Sequence, residues 1–235
     1  MIDLSKRSYQ KEILDNDDIP FADIKQNMKE LNTVNTYLGG HAITIAGVKE
    51  LITKRNSGTP VHICEIGCGG GDNLKAIHDF CAQNKIRVSF TGVDIKPECI
   101  EFASQQYPDL PALWVTNDYK ETVFGDHKPD IVFSSLFCHH FPEAELVTML
   151  QWMKQHAATG FFINDLHRHP LAYYSIMILT RLFSKSYLVK NDAPLSVLRG
   201  FSREEWIILL RESGLEHAVT NWKWAFRWLI YYKFS

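Results

Sequence analysis

The chain has 235 residues, 46% of them hydrophobic, and a formal net charge of −2 at pH 7. That length supports one substantial core and a single domain spanning 1–235. The slightly acidic balance, with a pI near 6.5, offers no general attraction to a phosphate backbone and disfavours nucleic acid as a partner.

The five cysteines are odd in number and lie mostly in apolar segments, as expected in a reducing compartment rather than in a disulfide framework. Cys64-x-x-x-Cys68 has no second Cys or His pair at finger spacing, so no metal site is expected there. Charges stand where a signal peptide needs an apolar run, and no 18-residue apolar stretch occurs. A cytoplasmic protein without a membrane span is expected, as a monomer or homodimer.

Phe21, Ile24, Met28, Leu31 and Leu38 recur at helical spacing between Pro20 and Gly39-Gly40, which predicts a helix over 21–38. A second helix is expected over about 41–55, before the turn Ser57-Gly58-Thr59-Pro60. These two helices, residues 1–56, read as a cap on a core spanning 57–235. The pattern then alternates: strand 61–66, helix 72–84, strand 86–93, helix 97–106, strand 112–116, strand 130–135, helix 143–157, strand 160–165. Such alternation predicts an α/β fold with a mostly parallel sheet and helices on both faces. Residues 170–188 are almost continuously apolar, and 170–198 reads as a lid over an acceptor pocket, as a buried helix, or as a dimer contact. Ser202-x-x-Glu205 is a capping box for a helix stopping near Gly214. Residues 217–234 read as two strands hinged near Trp224-Ala225. Their tryptophans, interleaved with Lys223 and Arg227, suit paired strands better than base stacking.

Residues 61–71, Val-His-Ile-Cys-Glu-Ile-Gly-Cys-Gly-Gly-Gly, form a strand running into a glycine turn. Glycine turns often cradle phosphate, but here Glu65 precedes the turn and Asp72 stands where a dinucleotide fingerprint has its last glycine. Like charges about 4 Å apart repel by about 1 kcal/mol in water and about 4 kcal/mol at an effective dielectric of 20, so a cationic nucleoside is the better guest. Glu65, Gly67, Gly69 and Gly71 resemble the first motif of the class I S-adenosylmethionine-dependent methyltransferases. That resemblance implies a Rossmann-like sheet of seven strands, the last antiparallel and inserted beside the fifth, with S-adenosylmethionine as cofactor. Cys68 suits the turn of that family, whereas Gly70 adds a flexible position.

Ligands of open α/β sheets bind beyond the C-terminal strand ends. Asp94 ends the second predicted strand, where a carboxylate can accept from both ribose hydroxyls, and Ile95 offers the adenine an apolar face. Asn117 and Asp118 follow the third, where the resemblance implies an acidic acceptor for the adenine amino group. Ser134, at the exit of the fourth, would border the methionine portion.

The acceptor is less legible. The Asn/Asp-Pro-Pro-Tyr motif of amino-group methylating enzymes and the Pro-Cys nucleophile of cytosine C5 enzymes are both absent after the fourth strand. Cys138-His139-His140-Phe141 stands there instead and resembles the small-molecule methyltransferases of ubiquinone and menaquinone biosynthesis. A histidine with a pKa near 6.5 suits removal of a proton from a phenol, enol or acid hydroxyl. His139, His140 and, in the polar cluster Asn164–His169, His167 are the candidate bases, and the first two also read as packing or capping residues. Asn164 and Asp165 are ligand types, but no matching carboxylate leaves the fourth strand, so no metal is expected there. The expected reaction is methyl transfer to oxygen, less so to carbon, of a small apolar phenolic, polyketide-like or quinone-precursor acceptor. A nucleic-acid or protein methyltransferase of the same fold, or a non-catalytic cofactor-binding member, is the alternative.

Overall fold

The apolar segment Val61–Ile66 forms strand β1, flanked by parallel partners β2 (Val88–Asp94) and β4 (Ile131–Ser135). A strand paired on both edges and covered on both faces carries apolar residues in succession, which is why this segment shows no alternation. The computed structural model describes residues 2–16, 18–52, 59–125 and 127–234. The end of the helix expected over 41–55 and Ser57-Gly58 of the following turn lie outside those residues.

With β3 (Ala112–Thr116), β5 (Gly160–Leu166), β6 (Val219–Lys223) and β7 (Arg227–Lys233), the sheet has seven strands in the order β3-β2-β1-β4-β5-β7-β6. Among the described strands β7 alone runs against the direction of the other six, pairing antiparallel with β5 on one side and β6 on the other. The strand order reverses at the β1/β4 boundary, so the crevice above those two ends is the place for a ligand.

Successive side chains on each strand feed opposite faces. Ile63, Ile131, Phe133 and Phe162 pack beneath α2 (Gly40–Leu51) and α3 (Asp72–Gln83). Cys64, Ile66, Val132, Phe161 and Ile163 pack against α5 (Glu143–His156) and α8 (Arg203–Glu212). α2 approaches β5 closely because Gly47 has no side chain, and a Cβ there would enter the Phe162 ring. The capping box of α8 is present, with the Ser202 hydroxyl accepting from Glu205 N at 3.2 Å and the Glu205 carboxylate accepting from Ser202 N at 2.7 Å.

α1 (Phe21–Tyr37) uses its predicted apolar face, Ile24 and Met28, against Cys99 and Phe102 of α4 (Pro97–Gln106). The apolar run after β5 divides into two helices, α6 (Pro170–Phe183) and α7 (Tyr187–Arg199). Ser186 caps α7 by accepting from Val189 N at 3.3 Å. The Glu30 carboxylate of α1 accepts from Lys185 N and Ser186 N at 2.9 and 3.1 Å, fastening this junction to the N-terminal helix. All five cysteines are free and buried, and no helix among the described residues is long and apolar enough to cross a membrane.

Candidate active site

β1 ends at Ile66, and the chain turns through Gly67, Gly69 and Gly71 at φ +66°, +49° and +77°. Glycine adopts this left-handed region without the Cβ penalty. At Gly67 the need is also steric, since a Cβ would enter the Phe137 ring. Cys68 N donates to Val93 O at 3.0 Å, and Gly69 N donates to Asp94 Oδ2 at 2.8 Å. The other Asp94 oxygen accepts from Lys96 N at 2.9 Å. Asp94 therefore buckles the glycine turn to the end of β2 while it faces the crevice. Burial pushes its carboxyl up from the usual range, against the backbone donors of Lys96 and Gly69.

Asn117 N donates to Asp94 O at 3.0 Å, which sets the β3 exit beside that of β2. Asp118 caps the short 3-10 turn Tyr119–Glu121 by accepting from Lys120 N at 3.0 Å. Gly67, Cys68, Gly69, Asp94, Ile95, Asn117 and Asp118 all line one cavity of about 920 Å³. Ile95 is 67% exposed, an apolar side chain displayed on that wall without a protein partner covering it. Open backbone at the turn, an exposed aliphatic face and strand-end carboxylates fit a nucleoside bearing a cationic tail. The volume lies at the upper end of ordinary ligand pockets, about 300–1,000 Å³, and leaves room for a second molecule.

Glu65, Gly71 and Ser134 do not line the cavity. Gly71 is the N-cap of α3, and the Ser134 hydroxyl meets the Cys138 thiol at 3.4 Å. Glu65 is fully buried behind the turn, with Oε1 accepting from Asn73 Nδ2 at 2.9 Å and Oε2 without a partner among the described residues. Burial, then Asp72 and Asp94, push its carboxyl well above the usual range. A carboxyl raised on folding adds stability below its unfolded pKa, and that contribution is lost as pH rises through the folded value. Glu65→Gln keeps an acceptor for Asn73 and cannot ionise. In the ligand-free protein it is expected to melt higher than the parent by an amount that grows with pH, reaching about 1 kcal/mol or more. Melting curves from pH 5 to 9 check this, and a variant less stable at every pH would refute it.

The β4 exit builds the other end of the cavity. Leu136 takes φ +54° and donates its N–H to Asn164 O at 2.8 Å, and the chain enters the 3-10 turn Cys138–His140. His139 lies between two carboxylates: Nδ1 is 2.8 Å from Asp165 Oδ1, and Nε2 is 3.5 Å from Glu12 Oε1. Burial pulls its pKa down, but Asp165 and Glu12 outweigh burial and hold it at about 9. His140 Nδ1 lies 3.1 Å from Asp15 Oδ1, and its Nε2 lies 3.8 Å from Glu12 Oε2. Burial raises the carboxyls of Glu12, Asp15 and Asp165, yet the facing histidines leave all three below the usual range.

The residues that complete this end come from a segment with no periodic signal. Arg7 donates to the carbonyls of Phe141 and Arg199 and to Glu143, at 3.0, 2.9 and 3.0 Å. Arg199 donates to the carbonyls of His139 and His140 at 3.1 and 2.8 Å and to Asp15 at 3.2 Å. The amides of Ile13 and Leu14 donate to Asp192 of α7. Residues 7–15 thus strap across the turn and bring Glu12 and Asp15 to the cavity. Sequence reasoning passed over both, and the cluster of charges before Pro20 was the available signal. His167 does not join the group: it lies off the cavity wall, and its Nδ1 accepts from Trp222 Nε1 at 3.1 Å. Burial, then His169 and Arg168, lower its pKa. Between the two ends, Met28, Leu31 and Val34 of α1 and Ala172, Ile176 and Leu179 of α6 line the cavity, with Val34 packed against the cluster that holds Ala172 and Ile176.

Residues 63–160 match the family model described as a methyltransferase domain. Over 86 residues the chain is 39% identical to malonyl-[acyl-carrier protein] O-methyltransferase of Anoxybacillus flavithermus, which covers 37% of this chain and 32% of that protein. The chain thus spans about a third of the length of that curated relative. Among solved structures, a plantazolicin methyltransferase, BpumL, in complex with a triazolic desmethylPZN analog and SAH superposes with a TM-score of 0.62 at 19% identity, over 85% of this chain and 72% of that one. Human N-acetylserotonin methyltransferase in complex with SAM gives 0.62 at 17% identity, over 91% and 56%. The CurJ carbon methyltransferase gives 0.57 at 17% identity, over 81% and 53%. At such identities these likenesses concern the fold.

Proposed function

From its class I methyltransferase domain, we infer that the chain transfers a methyl group from S-adenosylmethionine to oxygen of a small, largely apolar acceptor. The observation that carries this reading is the continuity of the cavity. The turn with Asp94 forms one wall, and an apolar chamber ending in Glu12, His139 and His140 forms the other. The bound cofactor supplies an electrophilic methyl group.

Asp94 would accept from the ribose hydroxyls, Ile95 would cover the adenine, and Asn117 with Asp118 would meet its polar edge. Gly67, Cys68 and Gly69 would give backbone access to the methionine portion, with Glu65, Gly71 and Ser134 holding the turn from behind. α1, α6 and α7 would close the acceptor chamber as a lid and cap within a single domain. Apolar walls exclude water and orient the acceptor, which is where much of the rate of an in-line displacement arises.

The acceptor hydroxyl would meet the Glu12–His139–His140 group. His139, whose pKa lies at about 9, already holds its proton near neutrality. His140 has a hydrogen bond only at Nδ1 among the described residues, so its Nε2 is the atom placed to take the acceptor's proton. The proteins this chain resembles include an oxygen and a carbon methyltransferase. The polar end with its two histidines favours oxygen, because an acceptor hydroxyl placed there can pass its proton to a neighbouring imidazole as the methyl group arrives.

The test is a panel of hydroxylated apolar acceptors with isotopically labelled methyl donor, read by product mass. His140→Gln is expected to lower kcat by about 100-fold or more, the lower range for a general base, with S-adenosylhomocysteine affinity unchanged. An unaltered kcat would place the base elsewhere, and failure of the parent protein to bind S-adenosylhomocysteine would remove the reading altogether.

A further inference from the structure

We propose that Glu12, His139 and His140 form a binding site for one divalent transition-metal ion, with Zn²⁺ the best matched, at the acceptor end of the cavity. The inference rests on that end being where the acceptor binds, and deepens it by naming what would hold the acceptor's oxygen; with the ion bound, His140 Nε2 would be a ligand and not the base, and the ion would ease loss of the acceptor's proton to solvent by lowering its pKa.

Three lines of geometry converge. One ligand atom from each of the three side chains lies within 4.8 Å of the other two. The Glu12 oxygens are 3.5 Å from His139 Nε2 and 3.8 Å from His140 Nε2, longer than good hydrogen bonds. They are close to the edge of a tetrahedron with ligand bonds of about 2.0–2.1 Å, roughly 3.3 Å. The two contacts use different Glu12 oxygens, Oε1 toward His139 and Oε2 toward His140, so rotation of the carboxylate and movement of the imidazoles would bring one ligand atom of each side chain onto a common ion.

Both histidines are also backed at Nδ1 by a carboxylate: Asp165 at 2.8 Å for His139 and Asp15 at 3.1 Å for His140. With Nδ1–H kept on the backing carboxylate, displacement of the Nε2 proton by the ion would leave the Nε2 lone pair aimed at Glu12, and such carboxylate–imidazole pairs orient metal ligands. The local charge points the same way. Four carboxylates, Glu12, Asp15, Asp165 and Glu143, and two guanidiniums, Arg7 and Arg199, surround the histidines, so entry of a cation in exchange for the His139 proton is electrostatically favoured.

Two nitrogens and one carboxylate, with the fourth direction open to a cavity, make the donor set of a catalytic rather than structural site. The nearby Cys138 thiol is turned to Ser134 and Met149, which leaves the shell without sulfur. The fourth position would take an oxygen donor of the acceptor. A ligand set of this kind could not be assembled from sequence, because Glu12 lies more than a hundred residues from its partners.

The same three groups could instead be held by protons alone, as an ion pair, and the experiment separates the two. The full-length chain, stripped with a chelator and dialysed, is titrated with Zn²⁺ against a chromophoric competitor, and with Co²⁺ by visible absorption. One ion per chain is expected, with intense tetrahedral Co²⁺ bands. Glu12→Gln and His140→Ala should each weaken Zn²⁺ binding by about 100-fold or more, and Asp165→Asn by about 10- to 100-fold. His140 is partly exposed, so its variant is the safer one to fold, and circular dichroism verifies that it does. S-adenosylhomocysteine titrations of the same variants are expected to match the parent, so that loss of the metal site and failure of the cofactor reading are told apart. Absence of stoichiometric Zn²⁺ binding, or equal binding to all variants, overturns the proposal in favour of a proton-bridged ion pair.

Discussion

Asp94→Ala is expected to weaken S-adenosylhomocysteine binding by roughly 100-fold or more while the protein remains folded. The carboxylate holds Gly69 N at 2.8 Å and Lys96 N at 2.9 Å, one on each oxygen. A hydrogen bond to a charged group contributes about 1.5–3 kcal/mol. Losing the first releases the middle of the glycine turn, and losing the second frees the loop that displays Ile95. Two surfaces of the proposed nucleoside site therefore move at once, in addition to the loss of the proposed ribose contact itself. Each factor of ten corresponds to about 1.4 kcal/mol, so even partial loss of these contacts reaches the stated size. Asp94→Asn keeps one acceptor oxygen and should fall between the two. Asp118→Ala should lose much less, because Asp118 spends an oxygen on a local cap rather than on the turn. Calorimetric titration decides the matter, with melting curves to verify folding. Binding by the Asp94→Ala protein within about threefold of the parent would show that the nucleoside does not lie on this wall.

Legibility followed the range of the interactions involved. β1 and its glycine turn were readable because their determinants lie within eleven consecutive residues, and strand exits at Asp94 and Asn117 could be counted from local apolar runs. The position of β7 beside β5 depends on pairing between residues far apart in the chain, such as Asp165 with Trp228. Periodicity cannot specify such pairing, and only the resemblance supplied it. The apolar run after β5 was visible, but its division was not assigned, although Ser184-Lys185-Ser186 has the composition of a break. That break is completed by Glu30 from α1, a partner no local pattern names.

The candidate site divides in the same way. His139 and His140 were found because they follow a strand, whereas their carboxylate partners Glu12 and Asp15 sit on an irregular strap held by Arg7 and Arg199. A fifth strand ending at Asp165, as the apolar run suggests, would set His167 on the same rim. The strand continues through Leu166, and His167 donates its N–H to Phe226 O at 2.9 Å. It thereby joins the β7 side, facing Trp222, and not the cavity. Glu65 precedes the turn in sequence, yet strand alternation turns its side chain inward to Asn73. A residue's distance along the chain from a binding loop does not decide on which side of the loop its side chain stands.

Asp165→Ala is expected to cost about 3–5 kcal/mol of folding stability, the range for removing one partner of a buried ion pair. Asp165 is fully buried, and its oxygens accept from His139 Nδ1 at 2.8 Å, Leu166 N at 2.7 Å and His139 N at 3.3 Å. Alanine leaves all three donors without that acceptor and leaves the imidazole facing Glu12 alone. For a domain of this size about 1 kcal/mol moves the melting temperature by about 2–4 °C, so a fall of roughly 10 °C is the expected reading. The loss should not stop at stability. The 3-10 turn Cys138–His140 is pinned from below by Asp165 and from above by Arg7 and Arg199, and only the upper clamp survives the substitution. His139 and His140 should then lose their fixed orientation while the Asp94 wall, which shares no bond with Asp165, keeps its shape. Acceptor turnover should therefore collapse with S-adenosylhomocysteine affinity retained below the new melting temperature. If affinity and turnover instead fell together in proportion to unfolding, Asp165 would be a support of the whole fold and not a positioning residue for the acceptor end.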